Sequence, residues 1–336
     1  MNYTEKKLYS AIVGAGTIAT GIGEKKYPMT HVRSYMELSG HVELIAFAET
    51  DKAQRTAVKK AFPQLRAYED FDSLVNNEQV DILSICTPDD SHYELLVKAI
   101  NRRVKGIWCE KPMALDGRSA EEISGRSRES GILVQINYFR RFIPEIAEIR
   151  SDIIRGLYGK IKMMSGLYTG GYVRNGSHMI DLMNFFEEEF SLMHAQPAAG
   201  FLGGGDGPVY MVCKTRGGIY SILQPLSGGY NIFELDIFCE NARIRICENG
   251  RRIEIYHVMS DKEFPHLNIL NPEPETVICR WKDSFTRALA NLIEAVEGNG
   301  DSTFSPPEDS VKTAKLIGDV TEVINKQYSS GRNNHA

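Results

Sequence analysis

The feature that most constrains the fold is a short apolar run, residues 8–13, that ends directly in glycines. Gly14 and Gly16 follow this run, and Ala19 completes a GxGxxA pattern. An apolar strand that runs into such glycines predicts a strand, a tight turn and a helix. Gly14 permits the turn, Gly16 lets phosphates approach the backbone, and Ala19 lets the helix pack closely on the strand.

Strands and helices alternate over the first 120 residues. Further buried strands are predicted at 42–48, 80–86, 106–109 and 134–137. Helical patterns fall between and after them, at 17–22 with an extension toward 38, at 51–61, 69–76 and 90–101, and then at 118–130 and 143–155. This alternation with short joints predicts a doubly wound parallel sheet, the Rossmann arrangement, over residues 1–120.

The pattern changes after Gly159, where strands follow one another without helices. They are predicted at 160–168, 208–214, 218–224, 232–239, 242–247, 251–257 and 276–281, with glycine pairs at the turns. Consecutive strands predict a large, mostly antiparallel open sheet in an α+β domain over 121–330. Helices at 283–297 and 307–328 complete this domain, and residues 331–336 are predicted to be a disordered tail.

Composition narrows the classes of function. The 336 residues predict about two domains, and the net charge of −5 disfavours a nucleic-acid binder. We find no apolar run of roughly 18 residues, so no membrane span is expected. The six cysteines form no CxxC pair, and the His and acidic residues show no metal-ligand spacing. Free thiols without a secretion signal favour the cytoplasm.

The glycine pattern indicates a dinucleotide site, because it follows an apolar strand and opens a helix. Gly14, Gly16, Thr17 and Ile18 are therefore predicted to lie beside the pyrophosphate, which helix N-terminal N–H groups attract. The alternative is a mere tight turn.

Glu49 ends the second predicted strand, 35 residues beyond Gly14 instead of the usual ~20, because an insertion at 23–40 intervenes. A carboxylate there hydrogen-bonds the ribose and repels a 2′-phosphate, so NAD is favoured over NADP. A solvated glutamate at a helix start is the alternative interpretation.

Two further segments follow strand ends, where sheets of this kind bind ligands. Thr87 and Pro88 are predicted to line the nicotinamide side of the cleft. His92 is predicted either to contact the cofactor or to be a capping or packing residue.

Glu110 and Lys111 follow the fourth strand, and both are predicted to lie at the cofactor. A positive nicotinamide ring and partial desolvation would lower the pKa of Lys111, suiting it to polarise or deprotonate a substrate hydroxyl. A surface ion pair of Glu110 is the alternative.

Taken in order, these motifs resemble the Gfo/Idh/MocA family (glucose–fructose oxidoreductase, inositol dehydrogenase and rhizopine catabolism proteins). The matching segments, which span nearly the whole chain, are 14–19, 87–92, 110–112, 137–142, 156–161 and 176–181. The resemblance implies NAD(P)-dependent oxidation or reduction at a CH–OH carbon of a sugar, polyol or nucleotide-linked sugar. It also implies that Lys111 and His178 are catalytic. The open sheet would mediate a homodimer or homotetramer. For His178 alone, a capping or packing role is the alternative.

One position departs from the family pattern. The family often has an aspartate four residues before the histidine, where this chain has Arg174. Arg174 either recognises an anionic substrate, which a forked guanidinium suits, or marks a degenerate site in an NAD(H)- or sugar-binding sensor. Asn175 would keep a neutral version of the aspartate's hydrogen bonds, and Tyr168 is a candidate donor to a sugar. The predicted substrate-binding residues are thus Lys111, Arg174, Asn175, His178 and Tyr168.

Overall fold

The computed structural model describes residues 7–23, 27–187, 189–201, 205–226, 228–298 and 303–333. The chain divides into two units, one made of Met1–Phe142 with Lys282–Val311, and one made of Ile143–Trp281 with Lys312–Ala336. The predicted boundary at residue 120 falls inside the first unit. A sixth strand lies beyond residue 120 and belongs to this unit, as does a helix from the C-terminal part of the chain.

The first unit contains strands β1 (Leu8–Val13), β2 (Val42–Ala48), β3 (Arg66–Tyr68), β4 (Ile82–Ile85), β5 (Gly106–Cys109) and β6 (Leu133–Ile136). The helices between them are α1 (Thr17–Thr20), α2 (His31–Glu37), α3 (Lys52–Ala61), α4 (Phe71–Asn77), α5 (His92–Asn101) and α6 (Gly117–Ser130). The strands are parallel in the order β3-β2-β1-β4-β5-β6. The predicted doubly wound sheet is confirmed. Its strand order reverses between β1 and β4, where such sheets bind ligands.

The second unit begins with α7 (Pro144–Ile154), β7 (Ile161–Thr169) and α8 (Asn175–Phe186). Its further strands are β8 (Phe190–Pro197), β9 (Val209–Thr215), β10 (Tyr220–Leu226), β11 (Phe233–Cys239), β12 (Ala242–Cys247), β13 (Arg252–Ser260), β14 (Asn268–Leu270) and β15 (Glu275–Ile278). Nine strands form one sheet in the order β14-β13-β12-β11-β7-β10-β9-β8, with β15 beside β13. Only the β7–β10 pair is parallel among these described strands. The predicted mostly antiparallel sheet is confirmed.

Two helices close the described chain, α9 (Ser284–Val296) and α10 (Pro307–Asn333). Of the predicted tail 331–336, residues 331–333 continue α10, and 334–336 lie outside the described residues. Helix α9 packs its apolar side on the first unit's core, with Phe285, Leu289 and Leu292 in one cluster with Trp108. Among the helices that the structure describes, none is both long enough and apolar enough to cross a membrane.

The region after the glycine pattern differs from the predicted helix that extends from 17 toward 38. Helix α1 ends after one turn, because Gly21 takes the left-handed conformation at φ +78°. A new helix, α2, starts ten residues later with Thr30 as its cap, whose hydroxyl accepts from the Arg33 amide at 3.2 Å. This break places His31 at the first position of α2, buried under the sheet.

Candidate active site

The glycine turn at the end of β1 has the geometry that its sequence predicts. Gly14 has φ +83°, and a Cβ there would come within 2.7 Å of the backbone of Cys86 and Thr87. Only glycine allows this approach between the ends of β1 and β4. At Gly16, by contrast, a Cβ would meet nothing within 4 Å, so the backbone faces open space. This open, backbone-lined cradle fits the pyrophosphate of a dinucleotide.

The residues after Gly16 form the short helix α1. Thr17 and Ile18 are half-buried in its first turn, and Ile18 packs against the unit's apolar core. Ala19 is fully buried, in agreement with close packing between helix and strand. Because α1 has only four residues, the backbone of the turn itself, more than a long helix, would contact the phosphates.

Glu49 lies just past β2 with its carboxylate beside the glycine turn. One carboxylate oxygen accepts from the Ala15 amide at 2.8 Å, and the other accepts from the Asp51 amide at 2.9 Å. Arg55 donates to the backbone carbonyl of Glu49 at 2.6 Å and pairs with Glu69 at 3.2 Å. This position fits a carboxylate that binds the ribose of a dinucleotide.

The segment after β4 forms a second wall near the turn. Thr87 is half-buried and accepts a hydrogen bond from Ser91, and Pro88 is exposed. His92 is fully buried, with one ring nitrogen 2.9 Å from the Thr87 carbonyl and the other 2.7 Å from the Pro112 carbonyl. This burial argues against the predicted contact of His92 with a cofactor. The imidazole instead joins the segment after β4 to the segment that carries Lys111.

Glu110 and Lys111 follow β5 immediately. The Glu110 carboxylate is buried, and its Oε1 accepts from His31 Nε2 at 3.0 Å and from Asn137 Nδ2 at 2.6 Å. Burial would raise the pKa of this carboxyl, but the interactions with His31, Asn137 and Lys111 outweigh it and hold the pKa below its ordinary value. The Lys111 side chain is half-buried next to this anion. Glu110 is thus a buried support of Lys111, not the partner in a surface ion pair.

No sequence motif marks the side chains behind the buried Glu110 carboxylate. His31 Nδ1 lies 3.0 Å from the Ser84 hydroxyl, which lies 2.8 Å from the Tyr35 hydroxyl. The His31 ring packs on Trp108 with a centroid distance of 3.8 Å. His31 comes from the insertion 23–40, where the helical pattern predicts only an extension of the helix at 17–22.

In the second unit, helix α8 carries the predicted histidine and its neighbours. His178 is half-buried in the first turn, whereas Arg174 and Asn175 are exposed at the helix start. The Asn175 amide donates to the Thr169 carbonyl at 2.5 Å, tying the helix start to the end of β7. Asp206 accepts from the Val173 and Arg174 amides at 2.7 and 3.3 Å. No sequence motif marks this aspartate.

Tyr168 lies in the core of the second unit, contrary to its predicted place at a substrate. Its side chain is fully buried, and its hydroxyl donates to the Val209 carbonyl at 2.7 Å. Residues alternate between the two faces of a strand, and Tyr168 falls on the face of β7 that α8 covers, next to Gly176. This burial argues against a hydrogen bond from Tyr168 to a sugar.

The first unit therefore has the fold and the glycine cradle of a dinucleotide-binding protein. Residues 8–138 match a family model described as an oxidoreductase family with an NAD-binding Rossmann fold. The rhizopine catabolism protein MocA of Rhizobium meliloti is 31% identical over 144 residues, 43% of this chain and 44% of that protein. D-glucoside 3-dehydrogenase of Escherichia coli is 24% identical over 191 residues, 53% of this chain and 52% of that protein. The chain spans about half the length of these curated relatives.

A solved structure extends the likeness of fold to both units. The WlbA dehydrogenase from Bordetella pertussis, in complex with NADH and UDP-GlcNAcA, superposes with a TM-score of 0.76. The match covers 94% of this chain and 97% of that chain at 15% identity, which shows a shared fold. The match of residues 8–138 to this family model and the likeness to MocA support the predicted resemblance to the Gfo/Idh/MocA family.

Alanine substitutions at the two glycines should separate folding from binding. Gly14→Ala should destabilise the chain by at least about 1–2 kcal/mol, because alanine disfavours the left-handed conformation, and the clash with Cys86 and Thr87 adds to this cost. Gly16→Ala should change stability by less than about 0.5 kcal/mol yet weaken NADH binding, because its Cβ points into open space. Urea unfolding and NADH fluorescence titration measure both effects. Equal loss of stability in the two variants would contradict the assigned geometry.

Proposed function

We propose that the protein is an NAD-dependent oxidoreductase that acts at a CH–OH carbon of a sugar, a polyol or a nucleotide-linked sugar. One observation carries the proposal: the carboxyl-end edge of the parallel sheet holds the open Gly16 backbone, the Glu49 carboxylate and Lys111, which follow β1, β2 and β5. These three strands contribute a phosphate cradle, a ribose acceptor and a cation at the edge where doubly wound sheets bind ligands. The relatives' names, a glucoside dehydrogenase and a nucleotide-sugar complex, support the substrate classes.

The chain's own side chains have distinct tasks in this proposal. The Gly14–Gly16 turn and Glu49 hold the dinucleotide, which when bound supplies the hydride acceptor or donor. Lys111 donates a hydrogen bond to the substrate oxygen and stabilises the negative charge that develops there. His178 takes the hydroxyl proton in oxidation and returns it in reduction. The buried Glu110 anion favours the protonated form of Lys111.

Arg174 supports an anionic substrate within these classes. Its side chain is exposed at the start of α8, four residues before His178. A guanidinium binds carboxylates and phosphates in a bidentate fork, which suits a uronic acid or a sugar diphosphate. The UDP-GlcNAcA of the structural relative is a ligand of this kind. Asn175 contributes less to this recognition in our proposal, because its amide is bound to the Thr169 carbonyl.

A second candidate function is a sensor that binds NAD(H) and a sugar without turning them over. The observation that favours it is the same Arg174, since this position lacks the carboxylate that the family often has.

The six cysteines are free thiols, in keeping with the reducing cytoplasmic location that we propose for either function.

Lys111→Ala should lower turnover by at least about 100-fold, the usual scale for loss of a positioned acid–base or oxyanion-stabilising group. NADH affinity should change little, because the glycine turn and Glu49 are intact. The assay follows nicotinamide absorbance with inositols, hexoses, uronic acids and nucleotide sugars. Lys60→Ala, at an exposed position of α3, is the matched control and should keep wild-type turnover.

The same assay separates the two candidate functions. Turnover confined to the anionic members of the panel would support the role of Arg174 in recognition. Tight NADH binding without turnover of any member would favour the sensor. Undiminished turnover in the Lys111→Ala variant would refute the proposed reacting centre.

Glu49→Gln should relax the preference for NAD over NADP, because the amide keeps the shape of the side chain but removes the charge that repels a 2′-phosphate. We expect the ratio of NADPH to NADH dissociation constants to fall about tenfold, equivalent to roughly 1.4 kcal/mol. Glu129→Gln, at an exposed position of α6, is the matched control, because it removes the same charge from a helix away from the glycine turn. An unchanged ratio in Glu49→Gln would exclude Glu49 as the ribose-binding residue.

The open face of the nine-stranded sheet supports a homodimer or homotetramer. Met211 and Leu223 point into the core, so the alternate residues Val212 and Ile222, which pair across β9 and β10, point to the other face. Ile222→Asp should reduce the mass measured by light scattering after size-exclusion chromatography. Leu157→Asp, at an exposed position after α7, should not. A wild-type protein that is monomeric at micromolar concentration would contradict this proposal.

A further inference from the structure

His31 takes no direct part in the proposed chemistry, yet hydrogen bonds and ring contacts hold its side chain in one position. Its side chain is fully buried, and both ring nitrogens have a partner: Ser84 on one side and Glu110 on the other. The ring packs on Trp108 and meets the edge of Phe285 at a centroid distance of 5.6 Å. Burying a polar ring costs free energy unless its hydrogen bonds are made, so this arrangement requires both partners.

We propose that His31 is a positioning residue that holds Glu110 ionised and in place, so that a carboxylate charge stays beside Lys111. The inference rests on the proposed function in one respect, the assignment of Lys111 to the reacting centre.

The hydrogen bonds around His31 define where its proton lies. An ionised carboxylate only accepts, so His31 Nε2 must carry the proton that it donates to Glu110. In the neutral ring Nδ1 then accepts from the Ser84 hydroxyl, which in turn accepts from Tyr35. Burial raises the pKa of Tyr35, so this hydroxyl keeps its proton and remains a donor. In the protonated ring Nε2 still donates to Glu110, so both states of His31 support the carboxylate.

Glu110 needs this donor because it is buried. Desolvation favours the neutral form of a carboxyl, and two donors converge on its Oε1: His31 at 3.0 Å and Asn137 at 2.6 Å. Without His31, one of these two donors is lost, and burial then dominates. If Glu110 were neutral, Lys111 would have no carboxylate charge from Glu110 beside it. In the oxidised complex, Lys111 would then lie next to a positively charged nicotinamide ring without that compensation.

The two thiols near Glu110 are uncharged near neutral pH, so they do not repel its carboxylate. Burial raises the pKa of the Cys86 and Cys109 thiols well above the ordinary value, and Glu110 itself adds to both shifts. In the part of the chain that the structure describes, the groups that act on Glu110 are these two neutral thiols, His31 from α2, Asn137 after β6 and Lys111. Of these, only His31 and Lys111 can carry a positive charge.

Difference infrared spectroscopy on the full chain, between pH 8 and pH 6, reads the charge of Glu110 directly and needs no substrate. In the wild type, Glu110 should stay ionised and contribute no carboxylic-acid C=O band at pH 6. In His31→Leu, the pKa of Glu110 should rise, because a buried carboxyl has lost a donor, and the band should appear. The double variant His31→Leu with Glu110→Gln should lack the band, which assigns it.

Two variants test whether the effect is specific. His31→Gln keeps a donor toward Glu110 and should remove most of the band that His31→Leu shows. Tyr35→Phe perturbs the same buried cluster but leaves the bond between His31 and Glu110, and it should resemble the wild type. If His31→Leu fails to fold, Asn137→Leu removes the other donor to the same oxygen and should produce the same band.

Three outcomes would overturn the proposal: no Glu110 band in a folded His31→Leu or Asn137→Leu variant, a Glu110 band in the wild type at pH 6, or an equal band in Tyr35→Phe. A failure here is distinguishable from failure of the proposed function, which the turnover of Lys111→Ala tests separately. If both hold, His31→Leu should lower kcat at pH 6 more than at pH 8, with NADH affinity unchanged.

Discussion

The close approach of Gly14 to the backbone that follows β4 is the contact on which the candidate site depends. It brings the end of β1 against Cys86 and Thr87 at the point where the strand order reverses. The Glu49 carboxylate reaches the Ala15 amide across the same turn, and His92 joins the Thr87 carbonyl to the segment of Lys111. Residues from four separate segments are thereby held at one edge of the sheet.

Much of this fold was predictable because its signals are local. Short apolar runs marked five of the six parallel strands, and consecutive strand patterns marked the second sheet. The strand β3 was missed because it has three residues, two of them exposed, and β8 and β14 because their exposed positions interrupt any apolar pattern. The helix predicted from 17 toward 38 is helical only in α1 and α2 and is interrupted between them, since periodicity does not register the left-handed conformation of Gly21.

The site was predictable at positions with a backbone requirement and not at positions defined by long-range contacts. Gly14 lies in a tight turn and Glu49 directly after a strand, as the local sequence predicts, because a turn and a strand end are local features. Tyr168 and His92 were expected at ligands and are buried instead, since one sequence does not show which face of an element another will cover. No local signal marks His31 or Asp206 either, because their partners are distant in the sequence. His31 contacts Ser84 and Glu110, which are 53 and 79 positions away, and Asp206 accepts from amides 33 and 32 positions away.

The first unit is built from two separate stretches of the sequence, so its core is complete only after the second stretch has been synthesised. Phe285 and Leu292 of α9 pack in the core around Trp108, although more than 170 positions separate them from it along the chain. During synthesis the N-terminal strands leave the ribosome long before this helix exists. The dinucleotide-binding unit therefore emerges with an apolar surface that stays exposed until α9 has been translated, and during that interval the nascent chain is prone to aggregation.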